Sequence, residues 1–289
     1  MRIIGALALS ILSACASRAT APEPIRTGYL FKRGDVLRFQ VESRLAVDMS
    51  GTHPLFLVAG NTNPLTWKVA GEFENVVLDI ESDGWALLER RVREIKSAGE
   101  WNGVPFGLTW SCERDKTVPE FDEMKSDMNQ YVAQWILSPL RGRVDDRGNS
   151  LMATPEHRRL VMRQGMMYWP IHVDQPRWIT SEEIAVPILH HKLRVTFRSS
   201  VVEDSGGILR IAAVALLSPA NEGTVVNAKD PTFAVSGGAK AEFDFASGRL
   251  KSLEVDLQIR FAGKATLLGG GEGDLQGVVT YREVQRLVQ

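Results

Sequence analysis

The residues best suited to binding chemistry in this sequence are methionine and aromatic side chains, whose adaptable apolar shapes suit a lipid-like ligand. Six of the eight methionines lie between Met124 and Met167. The ligand-binding candidates are the members of this cluster and the aromatic residues beside them: Met124, Met128, Tyr131, Trp135, Met162, Met166 and Trp169. Two interpretations stay open, because such side chains either line a cavity for a ligand or pack together as an ordinary core.

Residue types that usually carry out catalysis are present without the spacing that catalysis needs. His190 and His191 are adjacent, and adjacent residues on a strand point to opposite faces. The sequence holds no GxSxG or SxxK motif, and the glycine run at 269–273 lacks the Lys-Ser/Thr of a phosphate loop. We therefore predict no metal site, no cofactor and no enzymatic activity, and keep an envelope hydrolase as a minor alternative.

Cys15 carries a specific chemical prediction. Arg2 precedes a short apolar run at residues 3–12, and Leu-Ser-Ala-Cys closes it at residues 12–15. This tetrapeptide resembles the lipobox of bacterial lipoproteins, which implies cleavage before Cys15 and attachment of a diacylglycerol, with acyl chains of the palmitate class, to its thiol. The apolar run is too short to span a bilayer. The alternative is an ordinary secretory signal with Cys15 incidental.

The resemblance to a lipoprotein predicts the organisation of the chain. Residues 1–14 are the expected signal peptide, residues 15–26 the lipidated cysteine and an extended, proline-containing tether, and residues 27–289 a single β-rich domain. Ala16 follows the cysteine where an aspartate would imply retention in the inner membrane. We therefore expect a lipid-anchored protein of the bacterial cell envelope, more readily at the outer membrane facing the periplasm than at the inner membrane.

The second cysteine is left without a disulfide partner if Cys15 is lipidated. Cys112 follows Trp110 by two residues in an apolar segment, and we expect it to be a small buried side chain. The fold must then be stabilised by its core.

Most of residues 27–289 alternate between apolar and polar with a period of two, which predicts strands with one buried face. Predicted strand regions are 37–49, 67–80, 85–95, 193–197, 208–217, 239–245, 250–261 and 278–284. Predicted turns lie at 82–84, 205–207 and 247–248.

The middle of the chain has a different period. Apolar residues between Phe121 and Ile136 recur at helical spacing up to Pro139, and Thr154-Pro155 is typical of a second helix start. The sequence therefore predicts an α+β fold that is mostly β. A curved, half-barrel-like antiparallel sheet carries one or two helices, from about residues 120–165, packed on one face.

Composition describes a globular protein without a strong electrostatic field. Apolar residues make up 44% of the chain, charged residues 24%, and the formal net charge is −1. Such a balance gives no long-range attraction to nucleic acid or to anionic lipid, so neither is predicted as a partner.

The layout of the chain looks like that of half-barrel lipoproteins and lipoprotein carriers of bacterial envelopes. Residues 29–35 (YLFKRGD) and 243–250 (FDFASGRL) are also similar to an uncharacterised β-rich lipoprotein family. The resemblance implies a hydrophobic pocket for acyl chains. We expect a membrane-anchored, non-enzymatic lipoprotein that binds an apolar ligand or lipid between sheet and helix. The alternative is an envelope assembly protein with a packed core and a surface that binds a protein partner.

Overall fold

A computed structural model describes residues 28–52, 64–115, 137, 139–152, 168–172, 175–185, 192–217, 232–266 and 272–288. All twelve elements in these ranges are strands: β1 (Val36–Gly51), β2 (Leu65–Ile80), β3 (Ala86–Trp101), β4 (Val104–Ser111), β5 (Leu140–Val144), β6 (Ser150–Met152), β7 (Arg177–Ala185), β8 (Lys192–Ser205), β9 (Ile208–Leu217), β10 (Thr232–Asp244), β11 (Arg249–Thr266) and β12 (Glu272–Leu287).

The strands form one antiparallel sheet in the order β6-β5-β3-β2-β1-β12-β11-β10-β9-β8-β7. Strands that follow each other in the chain are mostly neighbours in the sheet, as expected for hairpin connections. The exceptions are β4–β5 and β6–β7. At the centre, the first and last described strands pair, β1 with β12 from Phe39↔Leu287 to Gly51↔Leu275. β3 pairs with β5 near its start and with β4 near its end. The sheet therefore has two halves, which the β1–β12 pair joins.

Alternation along the strands buries one face of the sheet. In β1 the residues from Leu37 to Met49 alternate strictly between buried and exposed, with the odd-numbered side chains buried. Antiparallel register places buried residues opposite buried residues, as in Leu45↔Tyr281 and Leu257↔Tyr281. The buried side chains of the described strands consequently form one continuous, largely apolar surface, here called the buried face.

The two ends of the sheet differ in their connections. At one end, here the turn end, tight turns at 81–85, 145–149, 206–207 and 245–248 join the strands. At the other, the loop end, β3 and β4 meet in a turn at Asn102 and Gly103. The remaining loop-end connections include residues outside the described ranges.

The predicted α+β class is wrong. The described residues form an antiparallel sheet of twelve strands; Leu137 is the one described residue with helical conformation, and no described helix element packs on either face. Within the predicted helical middle, residues 140–144 form a strand because their side chains alternate between buried and accessible and their backbone pairs with β3. Helical spacing is a local signal, whereas fold class depends on pairing between distant segments. Residues 121–136 and 154–165 lie outside the described ranges.

The described part of the chain contains no helix long and apolar enough to cross a lipid bilayer.

Candidate functional site

Trp169 is the one predicted ligand-binding residue that the structure describes. It is buried, with 3% of its surface exposed, at the turn end of the buried face. Cys15 and the other predicted site residues lie outside the described ranges and stay predictions: Met124, Met128, Tyr131, Trp135, Met162 and Met166.

Backbone hydrogen bonds fix the position of Trp169. The Tyr29 hydroxyl donates to the Trp169 carbonyl oxygen at 3.0 Å and accepts from the Trp169 N–H at 3.3 Å. The Ile171 N–H donates to the Arg147 carbonyl oxygen at 2.7 Å. A Cβ on Gly148 would lie 2.4 Å from the Trp169 carbonyl oxygen, and its φ is 83°. Position 148 therefore requires glycine for Trp169 to lie where it does.

An aromatic cluster closes the turn end. The Tyr29 ring lies 5.7 Å from Phe31, 5.4 Å from Tyr168 and 4.9 Å from Phe243, measured between ring centroids. The Asn75 side-chain amide donates to the Tyr168 hydroxyl at 3.2 Å. Burial raises the pKa of Tyr29 and of Tyr168, so both phenols are neutral at physiological pH. These contacts join the chain before β1 and before β7 to strands of both halves.

A buried charge pair lies near the centre of the buried face. Arg90 on β3 is 1% exposed and Glu283 on β12 is fully buried. Burial lowers the pKa of Arg90 to about 9, and attraction by Glu283 opposes this shift. The Tyr281 hydroxyl donates to the Glu283 carboxylate, and the Arg90 guanidinium lies 5.3 Å from the centroid of the Phe73 ring. Arg90, Tyr281 and Glu283 are here called the central polar cluster.

A tryptophan and a serine on β2 and β3 are also bonded to each other. The Trp67 indole N–H donates to the Ser97 hydroxyl oxygen at 2.6 Å. Trp67 lies opposite Gly99, which has no side chain. The Phe106 ring occupies that space, since its Cζ lies 2.4 Å from where a Gly99 Cβ would be. Because no side chain projects from Gly99, the indole of Trp67 extends diagonally to Ser97, which lies two residues away on β3.

A second group of polar side chains lies where β7 and β8 meet the turn end. Trp178 on β7 is directly opposite Ser199 on β8. The Trp169 ring is 5.1 Å from Phe197, which lies two residues before Ser199 on the same face, and the His172 ring is 5.5 Å from Trp178. Trp169, His172, Trp178 and Ser199 are here called the indole cluster.

The indole cluster differs from the pairs above because its polar atoms are not bonded. Four buried atoms have no hydrogen-bond partner among the residues that the structure describes: Trp169 Nε1, His172 Nδ1, Trp178 Nε1 and Ser199 Oγ. Buried polar groups in folded proteins nearly always have a partner. Several unpaired atoms in one cluster therefore mark a place where a ligand or ordered water completes the structure.

At the loop end the buried face is incompletely covered. Five apolar side chains on the inward-facing positions of β2, β3, β4 and β10 are only partly buried, and they are here called the loop-end rim: Leu65, Trp101, Leu108, Phe233 and Val235. Partly buried apolar side chains also lie towards the turn end, at Phe31, Val201, Phe245 and Leu287, but there the rings of Phe31 and Phe245 contact the aromatic cluster. Apolar surface is consequently accessible at both ends of the sheet, and at the loop end no described aromatic cluster covers it.

β9 and β10 also separate towards the loop end. Their last described pair is Gly238↔Val214, beyond which residues 232–237 of β10 pair with β11 and residues 215–217 of β9 pair with β8. Gly237 lies at the point of separation with a φ of 110°, a conformation that favours glycine. Phe233 and Val235 belong to the part of β10 that does not pair with β9.

The expectation for Cys112 is wrong, because its side chain is exposed. Trp110 is the last inward-facing residue of β4, and the strand ends at Ser111, so Cys112 lies in the following turn. Among the described residues, no group of three or more His, Cys, Asp or Glu side chains is placed to hold a metal ion.

Three members of the indole cluster were not predicted from the sequence. Trp178 and His172 lie outside any strong pattern. Ser199, however, continues the inward-facing series of Leu193, Val195 and Phe197, and a serine at an inward position is a signal that marks a buried hydroxyl.

Comparison with known proteins gives structural likenesses of low identity. No family model and no curated protein matches the chain. A structure of lipovitellin concerned with its lipid–protein interactions is 10% identical, with a TM-score of 0.49, over 90% of this chain and 26% of that one. An outer membrane channel from Pseudomonas putida F1 is 8% identical, with a TM-score of 0.25, over 90% and 97% of the two chains. The chain thus spans about a quarter of the lipovitellin chain that it matches.

Proposed function

We propose that this chain is a lipid-anchored, non-enzymatic protein of the bacterial envelope that binds an apolar ligand of the acyl-lipid class on the buried face of its sheet. The loop-end rim carries the proposal, because it leaves apolar side chains of the buried face partly accessible at the loop end. The lipobox-like residues 12–15 support the anchor and the envelope location.

The difference between the two ends of the sheet gives the route of entry. Stacked and edge-on rings of Tyr29, Phe31, Tyr168 and Phe243 close the turn end. At the loop end, by contrast, β9 and β10 separate beside Phe233 and Val235. An acyl chain that enters at this separation would lie along inward-facing residues of β10 and β11 and remove both its own surface and the rim from water.

The test compares two neighbouring residues of β10 that face opposite ways. Phe233 belongs to the rim, whereas Ala234 faces solvent. The full chain, Phe233→Asp and Ala234→Asp are purified from envelope extracts, and non-covalently bound lipid is extracted and quantified by mass spectrometry. We expect about one lipid per chain in the wild type and in Ala234→Asp and much less in Phe233→Asp. Equal lipid in all three proteins, or none in the wild type, contradicts the proposal.

A second candidate function, partner binding in envelope assembly, is supported by β7. Among the described strands β7 pairs with β8 alone, so no described strand covers its other edge of nine residues, and Ile179 of this strand is 65% exposed. Open strand edges accept an added strand from a partner. One stoichiometric protein partner, recovered without bound lipid and lost in Ile179→Pro, would favour this function over lipid binding.

A further inference from the structure

We propose that the indole cluster binds the hydrogen-bond-accepting head of the acyl ligand, a carbonyl or carboxylate oxygen, while its hydrocarbon chain extends towards the loop end. This inference rests on the proposed function and names the polar part of the same ligand.

The chemistry of the cluster favours an acceptor. An indole N–H can only donate, and a serine hydroxyl donates readily to an oxygen. Trp169, Trp178 and Ser199 are 3%, 5% and 2% exposed, so water does not reach their polar atoms freely. All three lack a hydrogen-bond partner among the described residues, and so does Nδ1 of His172. A ligand oxygen at this point would satisfy donors that the chain leaves unpaired.

The charge of the cluster defines the head group further. His172 is the sole titratable residue among the four members, and none of the others carries a charge. None of the four described members is the arginine or lysine that phosphate recognition commonly uses. An acyl ester or an acyl carboxylate fits these donors better than a phosphate does.

The register of the sheet connects the cluster with the rim. Ser199 lies opposite Ala213, Ala213 opposite Ala239, and Ala239 opposite Val255, so these residues form one row across the buried face.

Phe261, which pairs with Phe233 of the rim, lies six residues beyond Val255 on β11. At roughly 3.3 Å per residue this is about 20 Å along the strand, and the two strand spacings of about 4.8 Å between Ser199 and β10 bring the diagonal to about 22 Å. Ala213 and Ala239 have small side chains in this row and are 7% and 6% exposed. An extended long acyl chain with its head at the indole cluster would therefore end near the loop-end rim.

Three probes of equal chain length separate the head from the tail. Palmitic acid offers a carboxylate, methyl palmitate an ester carbonyl, and hexadecane no acceptor. Each is delivered from cyclodextrin to delipidated full-length protein, and its dissociation constant is measured by competition. The variants are Ser199→Ala and Trp178→Phe, and the control is Ser97→Ala, which removes a hydroxyl that is already bonded to Trp67.

We expect Ser199→Ala and Trp178→Phe each to weaken binding of methyl palmitate or palmitic acid by about fivefold to tenfold, the usual effect of one hydrogen bond. Hexadecane affinity stays within about twofold, since it makes no hydrogen bond to lose. Ser97→Ala leaves all three affinities unchanged. An effect on methyl palmitate identifies an ester ligand, and an effect on palmitic acid alone identifies a free acid.

Thermal unfolding of the ligand-free proteins distinguishes ligand binding from a structural role of water. The midpoint of Ser199→Ala should equal or exceed that of the wild type, because an unpaired hydroxyl is removed. A lowered midpoint with unchanged affinities means that ordered water satisfies the cluster, which overturns the inference and leaves the proposed function standing. A wild type that binds none of the probes overturns both.

Discussion

Two Trp–Ser pairs on neighbouring strands face the interior of this sheet, and they behave differently. Trp67 and Ser97 are joined by a hydrogen bond of 2.6 Å, whereas Trp178 Nε1 and Ser199 Oγ have no partner among the described residues. Register explains the difference. Trp67 lies opposite a glycine and reaches diagonally to Ser97, while Trp178 lies opposite Ser199 itself. The same residue types thus stabilise the fold at one place and remain available to a ligand at the other.

The comparison extends to the clusters around the two pairs. Arg90, Tyr281 and Glu283 interact with each other and stabilise the centre of the buried face, although they are charged or polar. The indole cluster contains weaker polar groups, and four of its buried polar atoms have no hydrogen-bond partner among the described residues. Removing a polar group should therefore lower the free energy of unfolding substantially in the central polar cluster and hardly at all in the indole cluster.

The largest effect is expected from Glu283→Ala. This change leaves the buried Arg90 guanidinium without its counter-charge, which should lower the free energy of unfolding by about 3–5 kcal/mol. Chemical denaturation measures the loss. Replacing both partners, as in Arg90→Met with Glu283→Leu, should restore most of it, because no charge is then buried alone. A free energy of unfolding for Glu283→Ala within about 1 kcal/mol of the wild type would show that the Arg90–Glu283 pair does not stabilise the fold.

A smaller effect is expected from Tyr29→Phe at the turn end. The lost hydroxyl both donates to and accepts from the backbone of Trp169, so two buried backbone groups lose their partner. The expected loss is about 2–3 kcal/mol in denaturant unfolding. Tyr168→Phe, which removes one bond to Asn75, serves as the control and should cost about 1 kcal/mol. Equal losses in the two variants would contradict the role assigned to Tyr29.

Ser97→Ala should lower the free energy of unfolding by about 1–2 kcal/mol. The change removes the acceptor of the buried Trp67 N–H and little volume. Urea titration of the delipidated protein gives the value. An unchanged midpoint would mean that another group takes over as the acceptor.

Ser199→Ala is the matched change in the indole cluster and should have the smallest effect. Since its hydroxyl is unpaired in the described structure, the free energy of unfolding should stay within about 0.5 kcal/mol of the wild type, or rise. The same titration applies. A loss equal to that of Ser97→Ala would remove the distinction between the two pairs.

Local patterns in the sequence predict which face of each strand is buried, but not which strands are neighbours. The period of two from Leu37 to Met49 corresponds to the buried side chains of β1, and the turns at 82–84 and 205–207 lie where they were expected. The β1–β12 pair was not foreseen, because alternation is the same whichever strand lies alongside.

The candidate site was harder to predict from the sequence than the fold. Trp169 was selected for its apolar bulk among methionines, whereas the feature that stands out in the structure is its buried indole N–H, which has no partner among the described residues. Whether the buried serine is bonded depends on the residue opposite the tryptophan, Gly99 or Ser199, and therefore on register. The predicted fold class was wrong for a related reason, since helical spacing in the middle of the chain says nothing about how residues 140–144 pair with β3.

The β1–β12 pair also governs when folding can be completed. Each half of the sheet can form from hairpins as the chain emerges, but β1 must wait for the last described strand before its second edge is covered. Contacts this distant in sequence form slowly, and an uncovered apolar edge is prone to aggregate in the meantime. We therefore expect folding of the native protein to be limited by the joining of its two halves.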